Sequence, residues 1–314
     1  MYKKLLGLLM PLALIAGAQS AHAYSDAYNI EGKENLIIIS PHQDDALLTF
    51  GGYLQFLKDS GKLDKVRTEI NVMIGLSNYS TNWHNVTTEH RVMHISKNRY
   101  SEDLDGLSDL FGGWDKFRYK IQGLWDAPLR GYEGGVTAGG GSSGTFKNFR
   151  QEEIDEFNHA IEIIKPMLKN DKSLVLVPIA NGNHIDHFIM KEAVIKAAYD
   201  LGDEAKATII FGQDQPYTGA NPSGENDEID ALVKRLPSNA IAKNYVTLVK
   251  DTNGETSKLR IYKKDYLTQY DEGYLTPLEN NIEETLYVWE PATYKSVKSH
   301  ADCGVAQTFC QLAK

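Results

Sequence analysis

The amino-acid sequence predicts an α/β fold, a Rossmann-like three-layer sandwich with a mostly parallel central sheet. Apolar runs typical of buried strands alternate with amphipathic helical segments along most of the 314 residues. In addition, clusters of histidine and aspartate come directly after two of these runs. Open parallel sheets bind their ligands at the carboxyl ends of the strands, so these clusters predict a functional site there.

The first two βα units lie between residues 35 and 110. Residues 35–40 (Asn-Leu-Ile-Ile-Ile-Ser) form a continuous β-branched run, which is typical of a central strand buried on both faces. Apolar residues between 53 and 57 have helical spacing, and we expect that helix to end near Gly61. Residues 69–76 repeat the strand pattern, and residues 86–110 predict a crossover helix.

The alternation continues after residue 150, whereas two glycine-bearing segments interrupt it. Residues 131–144 contain Gly-Gly-Gly-Ser-Ser-Gly and offer no apolar face, which predicts a mobile loop, and residues 219–227 predict a second exposed loop. The remaining predicted elements are a helix over 151–168, a strand over 173–179, a helix over 188–199 and a strand over 207–211.

The N-terminus has the layout of a secretory signal peptide. Lys3 and Lys4 precede an apolar run over residues 5–18, and Ala21-His22-Ala23 provides a cleavage site. The alternative is a retained anchor, but no basic stop-transfer flank follows. We therefore expect cleavage after Ala23 and a periplasmic or secreted protein with no transmembrane segment. Residues 24–314 predict a single domain with a C-terminal extension.

Charge and cysteine content limit the classes of partner. The net charge of −9 includes Lys3 and Lys4, so the mature chain carries −11. Such a surface repels nucleic acids and anionic lipids. The only two cysteines, Cys303 and Cys310, are close enough to form a disulfide in an oxidising compartment. Metal binding by this pair with His300 is the alternative, but two cysteines make a poor structural zinc site.

The first histidine and aspartate cluster is Ser-Pro-His-Gln-Asp-Asp at residues 40–45. One imidazole and two carboxylates can supply two ligands to a zinc ion and leave one carboxylate as a base. Capping of the following helix by Asp44 or Asp45 is the structural alternative. Capping explains one aspartate, but it requires neither His42 nor a second acid.

The second cluster is Asn-His-Ile-Asp-His at residues 183–187, again between a strand and a helix. His184 and His187 can face one cavity, one as a ligand and one above the reacting group. The alternative is a pair of exposed loop histidines. Two such clusters at the ends of two strands predict three protein ligands plus water, which is the pattern of catalytic zinc.

Together the clusters resemble the signatures of the PIG-L/LmbE family of zinc-dependent de-N-acetylases. The segment S-P-H-Q-D-D-A-L-L-T-F-G-G resembles the family's P-H-x-D-D motif, and N-H-I-D-H resembles its H-x-D-H motif. Weaker matches are Arg99 and Glu102 as R-x-x-E, residues 213–217, Lys258, and residues 267–269, so the similarity as a whole spans about residues 34–270.

The resemblance implies a division of work between the two clusters. It assigns His42, Asp45 and His187 to one zinc ion. It assigns Asp44 as the general base and His184 to polarising the acyl oxygen, with Asp186 orienting His184. The implied reaction is hydrolysis of the acetamide of an N-acetylated amino sugar. Gln43 and Ala46 depart from the family's frequent proline and glutamate, which puts substrate choice in doubt.

Further residues are candidates for contacts with the sugar. Arg99 is expected to reach the substrate, with pairing to Glu102 or another acid as the alternative. Asp126 is a possible hydroxyl acceptor. Trp83, Trp125 and Tyr132 have the character of sugar-stacking groups, although aromatic residues near loops are as often packing residues. His90 and His94 have helical i,i+4 spacing but lack the glutamate of a zinc protease helix, so we expect no metal there.

Two other functions remain open at this stage. The same machinery would serve an amidase acting on a different acyl group. Alternatively, the chain is a carbohydrate-binding or metal-binding relative without turnover. Asp44 favours the enzyme, because a binding protein needs no base beside three ligands.

Overall fold

The structure is a computed structural model and describes residues 27–80, 88–130, 153–181, 184–217, 232, 241–269 and 272–290. Several predictions lie outside these residues: the signal peptide, the two glycine-bearing loops, Trp83, Tyr132 and the pairing of Cys303 with Cys310. Among the residues that are described, no helix combines the length and apolar character needed to cross a bilayer.

Seven strands and six helices alternate along the described part of the chain. The strands are β1 (Asn35–Ser40), β2 (Arg67–Leu76), β3 (Phe117–Trp125), β4 (Ser173–Pro178), β5 (Thr208–Gly212), β6 (Ile241–Thr247) and β7 (Glu283–Trp289). The helices are α1 (Asp45–Asp59), α2 (Glu89–Phe111), α3 (Ile154–Ile164), α4 (Ile185–Leu201), α5 (Ser257–Asp265) and α6 (Glu272–Asn280).

The strands form one mostly parallel sheet in the order β3-β2-β1-β4-β5-β7-β6. Strands β1 to β5 pair in parallel, whereas β7 is antiparallel to both β5 and β6. The predicted fold class is therefore confirmed. The chain runs outward from β1 to β3 and then returns to β4, so the strand order reverses between β1 and β4. Sheets of this type bind ligands at that reversal.

Helices cover both faces of the sheet and so make three layers. Because side chains alternate along a strand, Ile39 and Val175 pack with α3 and α4 on one face, whereas Ile38 and Leu176 pack with α1, α2 and α5 on the other. The central strands are buried on both faces, as their continuous apolar sequences predict.

Two helix boundaries differ from the sequence prediction, each for a local reason. The helix predicted over 151–168 is α3 followed by a 3₁₀ turn at Lys165–Leu168, where Pro166 has no N–H to donate. Helix α4 begins at Ile185 rather than at residue 188, because the His184 ring accepts the backbone N–H of Asp186 and caps the helix. His187 therefore lies in the first turn of α4.

A buried ion pair contacts the middle of α1. Glu284 on β7 accepts the backbone N–H groups of Gly52 and Tyr53, both at 2.8 Å. Lys258 on α5 donates to Glu284 at 2.7 Å and to the carbonyl oxygen of Leu48 at 3.0 Å. A Cβ at position 52 would lie 2.9 Å from the Glu284 carboxyl group, so glycine is required for this approach.

Candidate active site and metal centre

The polar side chains of the site come from the carboxyl ends of all five parallel strands. In strand order they are His42, Asp44 and Asp45 after β1, Ser77 after β2, Asp126 after β3, His184, Asp186 and His187 after β4, and Asp214 after β5. The two largest groups follow β1 and β4, which flank the reversal of strand order. The sequence prediction of where the site lies therefore matches the topology.

The structure brings the three predicted metal ligands together. The Nδ1 atom of His42 lies 3.1 Å from Oδ2 of Asp45, and Nε2 of His187 lies 3.2 Å from the same oxygen. One ligand atom from each residue lies within 4.8 Å of the other two, and all three residues are buried. Two imidazole nitrogens and one carboxylate oxygen form a donor set that suits zinc.

A second group of residues with ligand atoms within 4.8 Å of one another lies on the other side of the His42 ring. It consists of His42, Asp126, His184 and Asp186. Asp186 accepts from the backbone N–H of Ala127, and Asp126 accepts from the Ser77 hydroxyl. Asp45 also accepts a backbone N–H, from His42 at 2.7 Å, so hydrogen bonding does not separate the two groups. We follow the motif resemblance in taking Asp45 as the predicted ligand and Asp126 and Asp186 as its neighbours.

A carboxylate lies behind each ligand histidine. His42 Nε2 lies 3.0 Å from Oδ2 of Asp186, and His187 Nδ1 lies 3.5 Å from Oδ2 of Asp214. A histidine that donates one ring N–H to a carboxylate presents the other nitrogen, unprotonated, to a metal. This arrangement leaves His42 Nδ1 and His187 Nε2 available to bind a metal.

The site has an excess of buried negative charge, which favours the binding of a cation. Asp44, Asp45, Asp126 and Asp186 interact with Arg99 or Arg130, and Asp214 interacts with the ammonium group of Lys191. These five carboxylates outnumber the three permanent cations that face them among the described residues. Burial acts to lower the pKa of His187, but Asp45 and Asp214 outweigh it and raise that pKa to about 10. A site that favours a proton so strongly also favours a divalent cation, so the residues present fit zinc.

Asp44 does not cap α1, although it occupies the N-cap position. Its side chain makes no capping hydrogen bond, and the Ser40 hydroxyl accepts the N–H of Ala46 instead. Asp44 has φ of 149°, a conformation that favours glycine and costs about 1–3 kcal/mol. Burial and then the adjacent Asp45 raise its pKa to about 8, while Arg99 acts in the opposite direction. A cation among these side chains favours the carboxylate and lowers that pKa.

His184 is held as a neutral imidazole. Burial and then His42 lower its pKa to about 3. Its Nδ1 accepts the backbone N–H of Asp186 at 3.2 Å, so the ring proton belongs on Nε2. The Asp186 carboxylate, which we expected to orient His184, lies 3.9 Å from that ring and 3.0 Å from His42. Its side chain is therefore the closer partner of His42, and its backbone is the partner of His184.

The predicted substrate residues are buried against the site. Arg99 donates to Oε1 of Gln43 at 3.1 Å and lies 3.9 Å from Asp44. Glu102 is not the partner of Arg99, because it accepts from the backbone and hydroxyl of Thr268. The acid beside Arg99 is Asp44, so the alternative of pairing with another acid stays open. Asp126 lies 3.6 Å from His42. Substrate contact by Arg99 and Asp126 stays a prediction.

Three residues of this region were not assigned from the sequence. Asp214 follows β5 directly, so its position after a strand was the available signal. Arg130 and Glu153 form an ion pair at 2.8 Å beside Asp186, and no local pattern indicates it.

Trp125 has 52% of its surface exposed at the end of β3, a position open to a ligand. His94 contacts Asn98 at 3.5 Å and, in the described ranges, joins no cluster of metal-binding type.

Comparison with known proteins gives structural matches only. No protein-family model matches the sequence, and no curated protein matches it significantly. A deacetylase of the teicoplanin biosynthesis pathway matches with a TM-score of 0.55 and 17% identity, over 81% of this chain and 97% of that chain. The A40926 pseudoaglycone deacetylase Dbv21 matches with a TM-score of 0.51 and 19% identity, over the same shares.

The zinc-inhibited form of the teicoplanin deacetylase Orf2 also matches, with a TM-score of 0.53 and 16% identity over 81% of this chain and 97% of that chain. These structural matches establish the fold, and sequence identities this low leave the activity open. The resemblance indicated by the two sequence motifs is confirmed at that level: the chain has the fold of the PIG-L/LmbE-type deacetylases.

Proposed function

We propose that this chain is a zinc-dependent N-deacetylase of the PIG-L/LmbE type that hydrolyses the acetamide of an N-acetylated amino sugar and releases acetate. The single observation that carries the proposal is the convergence of His42 Nδ1, Asp45 Oδ2 and His187 Nε2. The neighbouring Asp44 carboxylate makes no helix-capping hydrogen bond. The fold shared with the deacetylase of the teicoplanin pathway and the A40926 pseudoaglycone deacetylase supports the same reaction class.

His42, Asp45 and His187 would hold the zinc ion. The bound ion supplies Lewis acidity, which acidifies a water molecule and polarises a carbonyl oxygen. The protein's contribution is to fix the two rings. Asp186 accepts a hydrogen bond from His42 Nε2 and so orients that ring, and Asp214 lies 3.5 Å from His187 Nδ1.

Asp44 acts as the general base. It accepts a proton from the attacking water as the oxygen bonds to the acetamide carbon. When the carbon–nitrogen bond breaks, Asp44 returns that proton to the departing nitrogen, which leaves as the free amine. Proton transfer by a positioned carboxylate typically contributes about 10² to 10⁴ in rate. Arg99, 3.9 Å from Asp44, opposes protonation of the resting carboxylate.

His184 stabilises the charge that develops on the former carbonyl oxygen. Because Nδ1 accepts a backbone N–H, Nε2 carries the proton and can donate it in a hydrogen bond. A neutral imidazole donor avoids the cost of placing another positive charge beside zinc. Removing one such donor typically costs about 3 kcal/mol of transition-state stabilisation.

The test compares three single variants with the wild-type protein. Asp45→Asn is expected to lose zinc, whereas Asp44→Asn and His184→Ala keep zinc and lose turnover. Asp64→Asn, which changes an aspartate with 71% of its side chain exposed, is the matched control. Zinc is measured by elemental analysis, and loss of the acetyl group from N-acetylated saccharides by mass spectrometry. Zinc loss in Asp44→Asn with retention in Asp45→Asn would reverse the assigned roles.

The same measurements separate the alternatives. An amidase for another acyl group keeps zinc and Asp44 dependence but releases a different acid. A non-catalytic carbohydrate-binding or metal-binding relative binds zinc and turns over none of the saccharides. Near-normal turnover by Asp44→Asn would remove the general base from the mechanism.

We also propose that the mature protein is exported to the periplasm or medium as one domain, after removal of residues 1–23, with Cys303 joined to Cys310. The charged leader and the cysteine pair support this proposal. Mass spectrometry of protein from the envelope fraction gives the mature N-terminus and the thiol count. Free thiols there would contradict the disulfide.

A further inference from the structure

The carboxylate behind His42 is itself held by several donors. Asp186 is fully buried and accepts from His42 Nε2 at 3.0 Å and from the backbone N–H of Ala127 at 3.1 Å through Oδ2. Its other oxygen, Oδ1, accepts from Nη2 of Arg130 at 2.7 Å. The orientation of Asp186, and so the partner offered to His42, therefore depends on Arg130.

Arg130 is committed to protein contacts on every nitrogen. Its Nε donates to both carboxylate oxygens of Glu153, at 3.1 and 2.8 Å, and its Nη1 donates to the carbonyl oxygen of Trp125. The Arg130 side chain is 10% exposed and that of Glu153 is 3% exposed. A substrate anion would have to displace one of these partners, so substrate binding does not explain Arg130.

We propose that Arg130, held in place by Glu153, is a positioning residue that fixes the metal ligand His42 through Asp186. The inference rests on the ligand assignment in the proposed function. The chain of contacts is Glu153 to Arg130 to Asp186 to His42, and it ends with His42 Nδ1 directed at Asp45 and His187. The guanidinium serves here as a rigid fork that contacts two carboxylates at once, which a lysine cannot reproduce.

The expected change in zinc affinity can be estimated from other metal sites. Partners that orient a ligand histidine typically change metal affinity by about 10-fold to 100-fold when removed. Arg130→Met is therefore expected to weaken zinc binding by that factor, since Asp186 loses the donor that fixes its second oxygen. Arg130→Lys and Glu153→Gln keep the positive charge near Asp186 and are expected to weaken binding less.

The experiment measures zinc affinity by competition with a chelator, together with thermal unfolding in excess chelator to confirm that each variant is folded. Arg118→Met is the matched control, because Arg118 is exposed on β3 and remote from the ligands. If Arg130→Met does not fold, Arg130→Lys and Glu153→Gln take its place in the comparison.

A double variant distinguishes positioning from a general structural role. In the Asp186→Asn background, Arg130→Met should cause much less further loss of zinc affinity than in the wild type, because the contact it acts through is already altered. An equal loss in both backgrounds would overturn the inference, as would unchanged affinity in a folded Arg130→Met variant. Wild-type protein that binds no zinc would refute the ligand assignment first and the inference with it.

Discussion

The buried ion pair between Lys258 and Glu284 packs against α1, the helix that begins at Asp45, and its contribution to stability can be tested. Lys258 and Glu284 are 1% and 2% exposed and lie 2.7 Å apart. Lys258→Met removes the cation and leaves the Glu284 carboxylate buried without its counter-charge. It also removes the donor to the Leu48 carbonyl oxygen.

The expected cost follows from this geometry. Removing one partner of a buried pair typically costs about 3–5 kcal/mol of unfolding free energy, because the remaining charge is uncompensated. Glu284 keeps two backbone donors, Gly52 and Tyr53, so we expect the lower half of that range. Each kcal/mol lowers the melting temperature by roughly 2–4 °C in a chain of comparable size.

Urea unfolding of Lys258→Met is compared with Lys263→Met on the same helix. Lys263 pairs with Glu255 at 2.8 Å, but both side chains are 29% exposed, so its loss should cost less than about 1 kcal/mol. The double variant Lys258→Met/Glu284→Gln should be more stable than the sum of the single effects predicts, since no buried charge remains. Equal destabilisation by Lys258→Met and Lys263→Met would refute the reasoning.

Three further predictions concern the backbone and one buried acid. Gly52→Ala should destabilise the protein by about 1–3 kcal/mol or more, because its Cβ would meet Leu248 and the Glu284 carboxyl group; a stability within about 0.5 kcal/mol of wild type contradicts this. Asp44→Gly should be more stable than Asp44→Ala by about 1 kcal/mol in urea unfolding, since φ of 149° favours glycine; the reverse order, usual at helix positions, contradicts the strain. Burial raises the pKa of Asp103 from 3.8 to about 7, so folding binds a proton between these values and stability should fall as pH rises through them. Asp103→Asn should flatten that pH dependence, and an unchanged slope contradicts it.

Most of the sheet could be predicted from the sequence because its central strands are buried on both faces. The runs that form β1 and β4 are continuous and apolar, a pattern that depends only on local residues. Strand β3 was not predicted, although Phe117, Tyr119 and Ile121 alternate with Arg118, Lys120 and Gln122. That alternation is typical of a strand at the sheet edge, where one face meets solvent.

Strands β6 and β7 and the contacts around Arg130 could not be predicted from the local sequence. Strand β7 inserts between β5 and β6, an antiparallel arrangement that no local pattern specifies. Arg130 meets Asp186 across 56 residues of sequence. By contrast, the position of the two histidine and aspartate clusters was predictable because each is short and follows a strand at the reversal point. Pairing between distant side chains is a property of the packed fold rather than of any segment.

The proposed division of work between Asp44 and His184 is consistent with pKa values that are displaced in opposite directions. Burial and Asp45 raise the pKa of Asp44 to about 8, whereas burial and His42 lower that of His184 to about 3. Burial favours the neutral form of both groups, so it makes the acid a better proton acceptor and the imidazole a neutral donor. A cation bound by His42, Asp45 and His187 would lower the pKa of Asp44 from this raised value, which favours its carboxylate form, and would lower the pKa of His184 further. The same charge would therefore prepare both groups for the proposed reaction.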